Sequence, residues 1–358
     1  MRGKEDVFRK RLERFQELLR ENDIDGAVIR TLSSFIYFTG TKWLRPSLLI
    51  PAEGEPTVYV VKGEAELFRE KSWVENVVEF QRAEDLMAGV VTWIQGNGFE
   101  RVGLEFGVER DAYLFFYKLF QRLNPVIEIV DVLDLTMSLR MIKDDWELEN
   151  IRKAGKIAQR GMAVAEDVIR PGKSELEIAA EVVRELMLSG SEDPKVYVST
   201  TPRAHAEPFR DLKVQENGVV TVVIGADWNH YYANTARTFV VGDPGERVRK
   251  AMEVKKEALN IALEETKVGV TLNAVEKRLA GFFREKGFGD AYLTGYTHGV
   301  GLLIEEPPMP TIIVPTRAAK VQENMVLSVI HPPLMIPEGA VKHEDTYIVR
   351  KEGLERVT

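Results

Sequence analysis

The segment VVIGADWNHYYANTARTFVVG, Val222–Gly242, sets two apolar runs on either side of the polar stretch DWNH. It reads as a β-hairpin, with His230 near the turn in a structural or solvent-facing place. Toward the N-terminus, a long helix starts at Asp145 and carries Leu148, Ile151, Ala154, Ala158, Met162 and Ala165 at helical spacing. It stops at Pro171-Gly172. Ser174 and Glu177 then form a capping-box pattern for a second helix through Leu186. The pattern returns 97 residues later. Gly172 matches Gly269, Ser174 matches Thr271, Ile178 matches Val275, Val182 matches Leu279, Leu186 matches Phe283, Gly190 matches Gly287 and Asp193 matches Asp290. Each copy reads as helix, glycine turn, capped helix, glycine exit and strands. Two copies predict a pseudo-symmetric α/β body with a cleft between them.

The first part of the chain has a different rhythm. Leu12, Phe15, Leu18 and Leu19 give residues 5–22 one apolar helical face. Apolar runs follow at Gly26–Ile29 and Ser33–Gly40, then a hairpin through Pro46–Ile50 and Thr57–Val61 around AEGEP. Residues 84–96 and 108–123 read as helices, with a strand at Arg101–Phe106 between them. This alternation predicts an α/β domain over residues 1–125, a linker at 126–141 and a second domain at 142–358. A length of 358 residues suits two cores.

Composition excludes several classes. The net charge of −8 lacks the basic footprint that nucleic acid or an anionic membrane needs. Apolar runs such as Val219–Gly225 are too short for a membrane span. MRGKEDVFRKRLERF has no apolar core of a secretory signal, so a cytoplasmic location is expected. With no cysteine there is neither a disulfide nor a thiolate ligand. No G-x-S-x-G elbow and no GxxxxGK[ST] loop occurs, which leaves serine-hydrolase and nucleotide chemistry without support.

All five histidines, His205, His230, His298, His331 and His343, fall in the second domain. His298 stands out because the glycines of GYTHGVGLLIEE let backbone or ligand approach the ring. His343 is read as a neighbour of the important Glu344.

Here a resemblance enters. LRMIKDDWELENIRKAGKIA resembles the first helix of the catalytic domain in the prolidase/creatinase/methionine-aminopeptidase family. The 222–242 hairpin resembles the one that carries two of that family's metal-ligating aspartates. YTHGVGLLIEEPP resembles its metal-histidine segment and VKHEDTYIV its last metal-glutamate segment. RLERFQELLRENDIDGAVIR and SSFIYFTG resemble its smaller domain. The resemblance implies a creatinase-type α/β N-terminal domain followed by an α+β pita-bread domain, and a homodimer.

The departures decide the chemistry. Matching through Gly225-Ala226 and Arg237-Thr238 puts the two aspartate positions at Val223 and Asn234. The histidine survives as His298 and the last glutamate as Glu344. The glutamate before Pro-Gly falls on Ile330 or His331, and a further family histidine is Glu305. Only one of four metal carboxylates remains, and two nearby cations without bridging carboxylates repel each other. A two-metal centre is therefore not expected, and no cofactor is expected beyond one divalent metal on His298, His331 and Glu344.

Three functions follow. The first is a metal-independent C–N hydrolase acting on a small amide, dipeptide or guanidino compound. In this reading RAHAEPFRDLKV resembles the creatinase loop whose histidine, here His205, moves the proton. His298 would anchor the substrate's polar end, and Glu305, Glu306 and Glu344 would meet a cationic end. The second is an inactive pseudo-peptidase that binds peptide or a partner; the third is an Xaa-Pro dipeptidase or aminopeptidase running on one metal. The cleft is lined by His205, Tyr232, Asn234, His298, Glu305, His331 and Glu344; if the protein is active, His205, His298 and Glu344 are the catalytic residues, and Tyr232, Asn234, Glu305 and His331 bind substrate.

Overall fold

Phe8, Leu12, Phe15 and Leu19 recur every three or four residues and are all buried, so Glu5–Glu21 folds as helix α1 with one face sealed. The computed structural model describes residues 5–44, 47–107, 109, 113–203, 206–310 and 318–358. The chain divides into the units Met1–Arg140 and Met141–Thr358.

In the first unit α1 is followed by β1 (Gly26–Ile29), α2 (Leu32–Thr39), β2 (Leu48–Pro51), β3 (Thr57–Val61), α3 (Ala65–Lys71), β4 (Asn76–Phe80), α4 (Ala83–Gly96), β5 (Arg101–Leu104), α5 (Tyr113–Leu123), β6 (Glu128–Asp131) and α6 (Leu133–Met141). The strands form one sheet in the order β4-β3-β2-β1-β5-β6. The run Ser33–Gly40 is a helix, ended where Gly40 turns left-handed at φ 77° and its N–H reaches Ile36 O. Residues 126–141 are not a linker. β6 pairs in parallel with β5, and α6 buries Thr136 and Arg140. The edge of β5 offers backbone groups that β6 satisfies, so the first unit continues to Arg140.

The second unit contains α7 (Asp145–Val168), α8 (Glu175–Leu188), β7 (Lys195–Ser199), β8 (Gly218–Trp228), β9 (Tyr231–Val241), α9 (Glu246–Glu265), α10 (Leu272–Glu285), β10 (Thr297–Gly299), β11 (Val326–Val329), β12 (Leu334–Ile336), β13 (Gly339–Val341), β14 (His343–Arg350) and β15 (Gly353–Arg356). The main sheet runs β10-β11-β14-β9-β8-β7, with β15 added to β14. Both bounds of α10 lie 97 residues after those of α8. Gly172 and Gly269 share the left-handed turn at φ 87° and 90°. The repeat is therefore geometric as well as sequential.

The two copies differ at their caps. Ser174 accepts from Glu177 N and Glu177 accepts from Ser174 N, whereas Thr271 makes no side-chain cap bond. Ser174→Ala is therefore expected to cost about 1 kcal/mol of unfolding free energy, and Thr271→Ala less than about half of that. Urea unfolding of the two variants checks this; equal losses would contradict the assignment.

All four helices of this unit cover one face of the sheet. Val220, Val222, Ile224 and Ala226 pack with α7 and α8, while Leu327, Val329, Tyr347 and Val349 pack with α9 and α10. Side chains alternate along a strand, so Val223, Gly225, Asn234, Ala236, Ser328 and Glu344 point to the opposite face. That face carries the polar cluster.

Candidate functional site

The hairpin turn comes first, since it sets the register. Asn229 and His230 have φ 49° and 69° and join β8 to β9 as a two-residue turn of the kind that follows strand twist. His230 is thus a turn residue. In this register Gly225 faces Asn234 and Val223 faces Ala236. Glu344 also pairs with Ala236, and His298 pairs with Ser328 on the neighbouring strand. Five adjacent strands bring these positions together.

His331 arrives by another route. After β11, Ile330 adopts φ 60°, a conformation unusual for a β-branched residue. Its side chain is buried in the core against α9 and α10, and the turn delivers His331 to the polar face. Lys255 on α9 donates hydrogen bonds to Ile330 O at 3.1 Å and Pro332 O at 2.5 Å, pinning the backbone on both sides of His331. Of the two alternatives for this position, His331 is the one that joins the cluster.

His298, His331 and Glu344 each offer one ligand atom, all within 4.8 Å of one another. His298 Nδ1 faces Gly299 O at 2.9 Å; a carbonyl only accepts, so this nitrogen carries a hydrogen. Its Nε2 lies 3.2 Å from His331 Nδ1 and 3.8 Å from Glu344 Oε1. Lys342 enters the same space. Its Nζ donates to Glu344 Oε2 at 2.8 Å and to His331 Nδ1 at 3.4 Å, and the Lys342 and Glu344 side chains are each 1% exposed. With Nδ1 accepting, the hydrogen of His331 sits on Nε2, which faces Glu305 Oε1 at 3.6 Å. Ser328 donates to Glu344.

Charge follows this geometry. Burial alone would raise the Glu344 pKa, but the Lys342 ammonium, with His331 and His298, holds it well below the usual carboxylate range. Burial pulls His298 down, but the hydrogen bond and charge of Glu344 outweigh it and leave His298 above its ordinary value. Burial and the Lys342 charge push His331 down to about 3. Burial, reinforced by Lys342, likewise holds Lys255 well below an ordinary lysine.

The other expected site residues divide clearly. Asn234 Nδ2 donates to Ile304 O at 2.7 Å, while its buried Oδ1 has no hydrogen-bond partner among the described residues. Tyr232 shares the face of Asn234, but its hydroxyl donates to Asp193 O at 2.9 Å. Glu306 is not available to a substrate: it is buried and paired with buried Lys143 at 2.9 Å. Glu344 is likewise occupied by Lys342. Of the three glutamates expected to meet a cation, only Glu305 keeps an exposed side chain, at 33%. Both nitrogens of His298 face protein groups, and the residue is 4% exposed, so it stands behind His331 and does not present an anchoring face. His205 lies outside the described residues.

Sequence reasoning missed the lysines. Lys342 had a usable signal, since it stands two residues before Glu344 and residues at that spacing share a strand face. Lys255 falls among buried Ala251, Val254, Ala258 and Ala262 on α9, where an aliphatic residue is expected.

Comparison with known proteins gives two family matches. Residues 149–351 match metallopeptidase family M24, and residues 11–142 match the creatinase/prolidase N-terminal domain. The chain is 30% identical to the Xaa-Pro dipeptidase of Pyrococcus furiosus over 98% of both chains. It superposes on the prolidase from Pyrococcus horikoshii with TM-score 0.85 and 26% identity, covering 98% of each chain. The prolidase from Pyrococcus furiosus gives TM-score 0.83 and 28% identity, covering 96% of this chain and 98% of the other.

Proposed function

We propose that this chain, which belongs to metallopeptidase family M24, hydrolyses a C–N bond of a small amide, dipeptide or guanidino compound without a metal ion. The observation that carries this reading is the Lys342 ammonium, 2.8 Å from Glu344 and 3.4 Å from His331. A two-metal centre lacks its donors, because Val223 cannot ligate and Asn234 offers only a neutral oxygen. A single ion held at about 2.1 Å by Glu344 Oε2, the oxygen that Lys342 contacts, cannot lie further than about 5 Å from that ammonium. The repulsion there is about 7 kcal/mol at an effective dielectric of 20. The donor set therefore does not fit the group that the family implies.

What remains for chemistry is the exposed edge of the cluster. The side chains of His331 and Glu305 are 15% and 33% exposed and face each other. In this reading the Glu305 carboxylate, oriented by the His331 Nε2–H, takes a proton from water as the water oxygen adds to the carbonyl or amidine carbon. It returns that proton to the leaving nitrogen as the C–N bond breaks. His298, Glu344 and Lys342 orient His331.

The test is amine release from Xaa-Pro dipeptides, simple amides and guanidino compounds, before and after exhaustive chelation. Rates are expected to hold within about twofold, whereas stripping a catalytic metal removes several kcal/mol of transition-state stabilisation. Loss of turnover on chelation supports a dipeptidase running on one metal; two relatives are named Xaa-Pro dipeptidases. Ligand binding with no turnover supports a binding-only protein, which the mutual satisfaction of His298, Glu344 and Lys342 also favours.

A further inference from the structure

We infer that Lys342 is a built-in replacement for a metal ion: its ammonium takes up lone pairs of His331 and Glu344, two of the three groups that with His298 would hold a divalent cation, and its removal opens a one-metal site. The inference rests on the metal-independent reading above and deepens it.

Two of the three converging ligand atoms, Glu344 Oε2 and His331 Nδ1, accept from Lys342 Nζ. The third, His298 Nε2, touches the same His331 nitrogen at 3.2 Å. The lysine side chain is 1% exposed, so no water shell separates it from the cluster. A buried ammonium and a divalent cation make the same demand, namely positive charge surrounded by lone pairs. They differ in one respect: the lysine is covalently held and no chelator removes it. The two cannot share the space, because like charges at this separation repel strongly. Lys255 closes the other side of His331 through the Ile330 and Pro332 carbonyls, so the ligand geometry survives when Lys342 is changed.

Two histidines and a carboxylate form a set that zinc accepts. Wild-type protein, H298A, K342M, K342Q, K342R and the double variant K342M/H298A are equilibrated with Zn²⁺ and freed of loose ions. Bound zinc and the unfolding temperature are then measured, with and without the ion. K342M and K342Q are expected to hold about one zinc, at least about 100-fold more tightly than wild type. That zinc should disappear in K342M/H298A, and K342R should stay metal-free. Zinc should raise the unfolding temperature of the neutral variants only. K342Q keeps hydrogen-bonding capacity and carries the same test if K342M does not fold. If neither neutral variant binds more zinc than wild type, the inference about Lys342 falls and the metal-free reading stands. If wild type itself holds one zinc that H298A removes, both fall together.

Discussion

Glu344→Gln is expected to lower the unfolding free energy at pH 7 by about 3–5 kcal/mol, the range for breaking a buried ion pair from one side. The amide keeps the shape of the carboxylate, so the loss isolates its charge. Lys342 stays buried with only the neutral His331 nitrogen beside it, and the bond from Ser328 weakens. Urea unfolding of wild type, E344Q, K342M and E344Q/K342M forms a double-mutant cycle that measures the coupling directly. The double variant should recover much of the loss, because removing both charges leaves neither unpaired. A loss below about 1 kcal/mol in E344Q would place the pair in the range of exposed salt bridges and contradict the burial argument.

The same pair has a pH signature. Although burial opposes it, the Lys342 charge holds the folded-state pKa of Glu344 well below the usual carboxylate range. Its contribution is therefore fully present above the unfolded pKa and is lost as pH falls through the folded value. The Glu344 part of the gap between wild type and E344Q should stay level above about pH 5 and shrink below that. The raised His298 loses its partner in E344Q, and its part widens the gap as pH falls through the neutral range. A gap that keeps growing below about pH 4 would reverse the sign for Glu344 and refute the assignment.

His331→Ala is expected to reduce kcat/KM for amine release by about 100- to 10,000-fold, the usual contribution of positioned acid–base catalysis, because it removes the Nε2–H that orients Glu305. The residue stands at the exposed edge of the cluster and is oriented from three sides. Lys342 and His298 approach Nδ1, Glu305 faces Nε2, and Lys255 holds the flanking backbone. Because burial and Lys342 hold His331 down to about 3, it stays neutral through the ordinary assay range. The acid limb of the pH–rate profile should then contain no inflection near 6.5 from His331. An inflection there that survives H331A would shift the proton-transfer role to another histidine, with His205 the first to change. Undiminished turnover in H331A with an intact circular dichroism spectrum would remove His331 from the chemistry altogether.

Local patterns made much of the fold legible. The α1 stripe, the Ser174–Glu177 capping box, the repeat of Gly172 at Gly269 and the 222–242 hairpin all follow from interactions spanning a few residues. The motifs also singled out His298 and Glu344, and the family resemblance set Val223 and Asn234 at positions where it implies carboxylates. Short elements bound by long-range pairing were harder. Helix α2 reads as an apolar run because nearly every face is buried, and β6 reads as a connector because its partner β5 lies 24 or more residues earlier.

By itself, then, the sequence determined the two domains and their order, since these depend on which residues are present and at what spacing. Only the tertiary structure decided what fills the space. The positive φ of Ile330 sends His331, not Ile330, to the polar face. The closing of strands β8, β9, β14, β11 and β10 sets the Lys342 ammonium against Glu344 and withdraws Glu306 to Lys143. Pairings among buried charges depend on distances across the sheet, and no spacing along the chain encodes them.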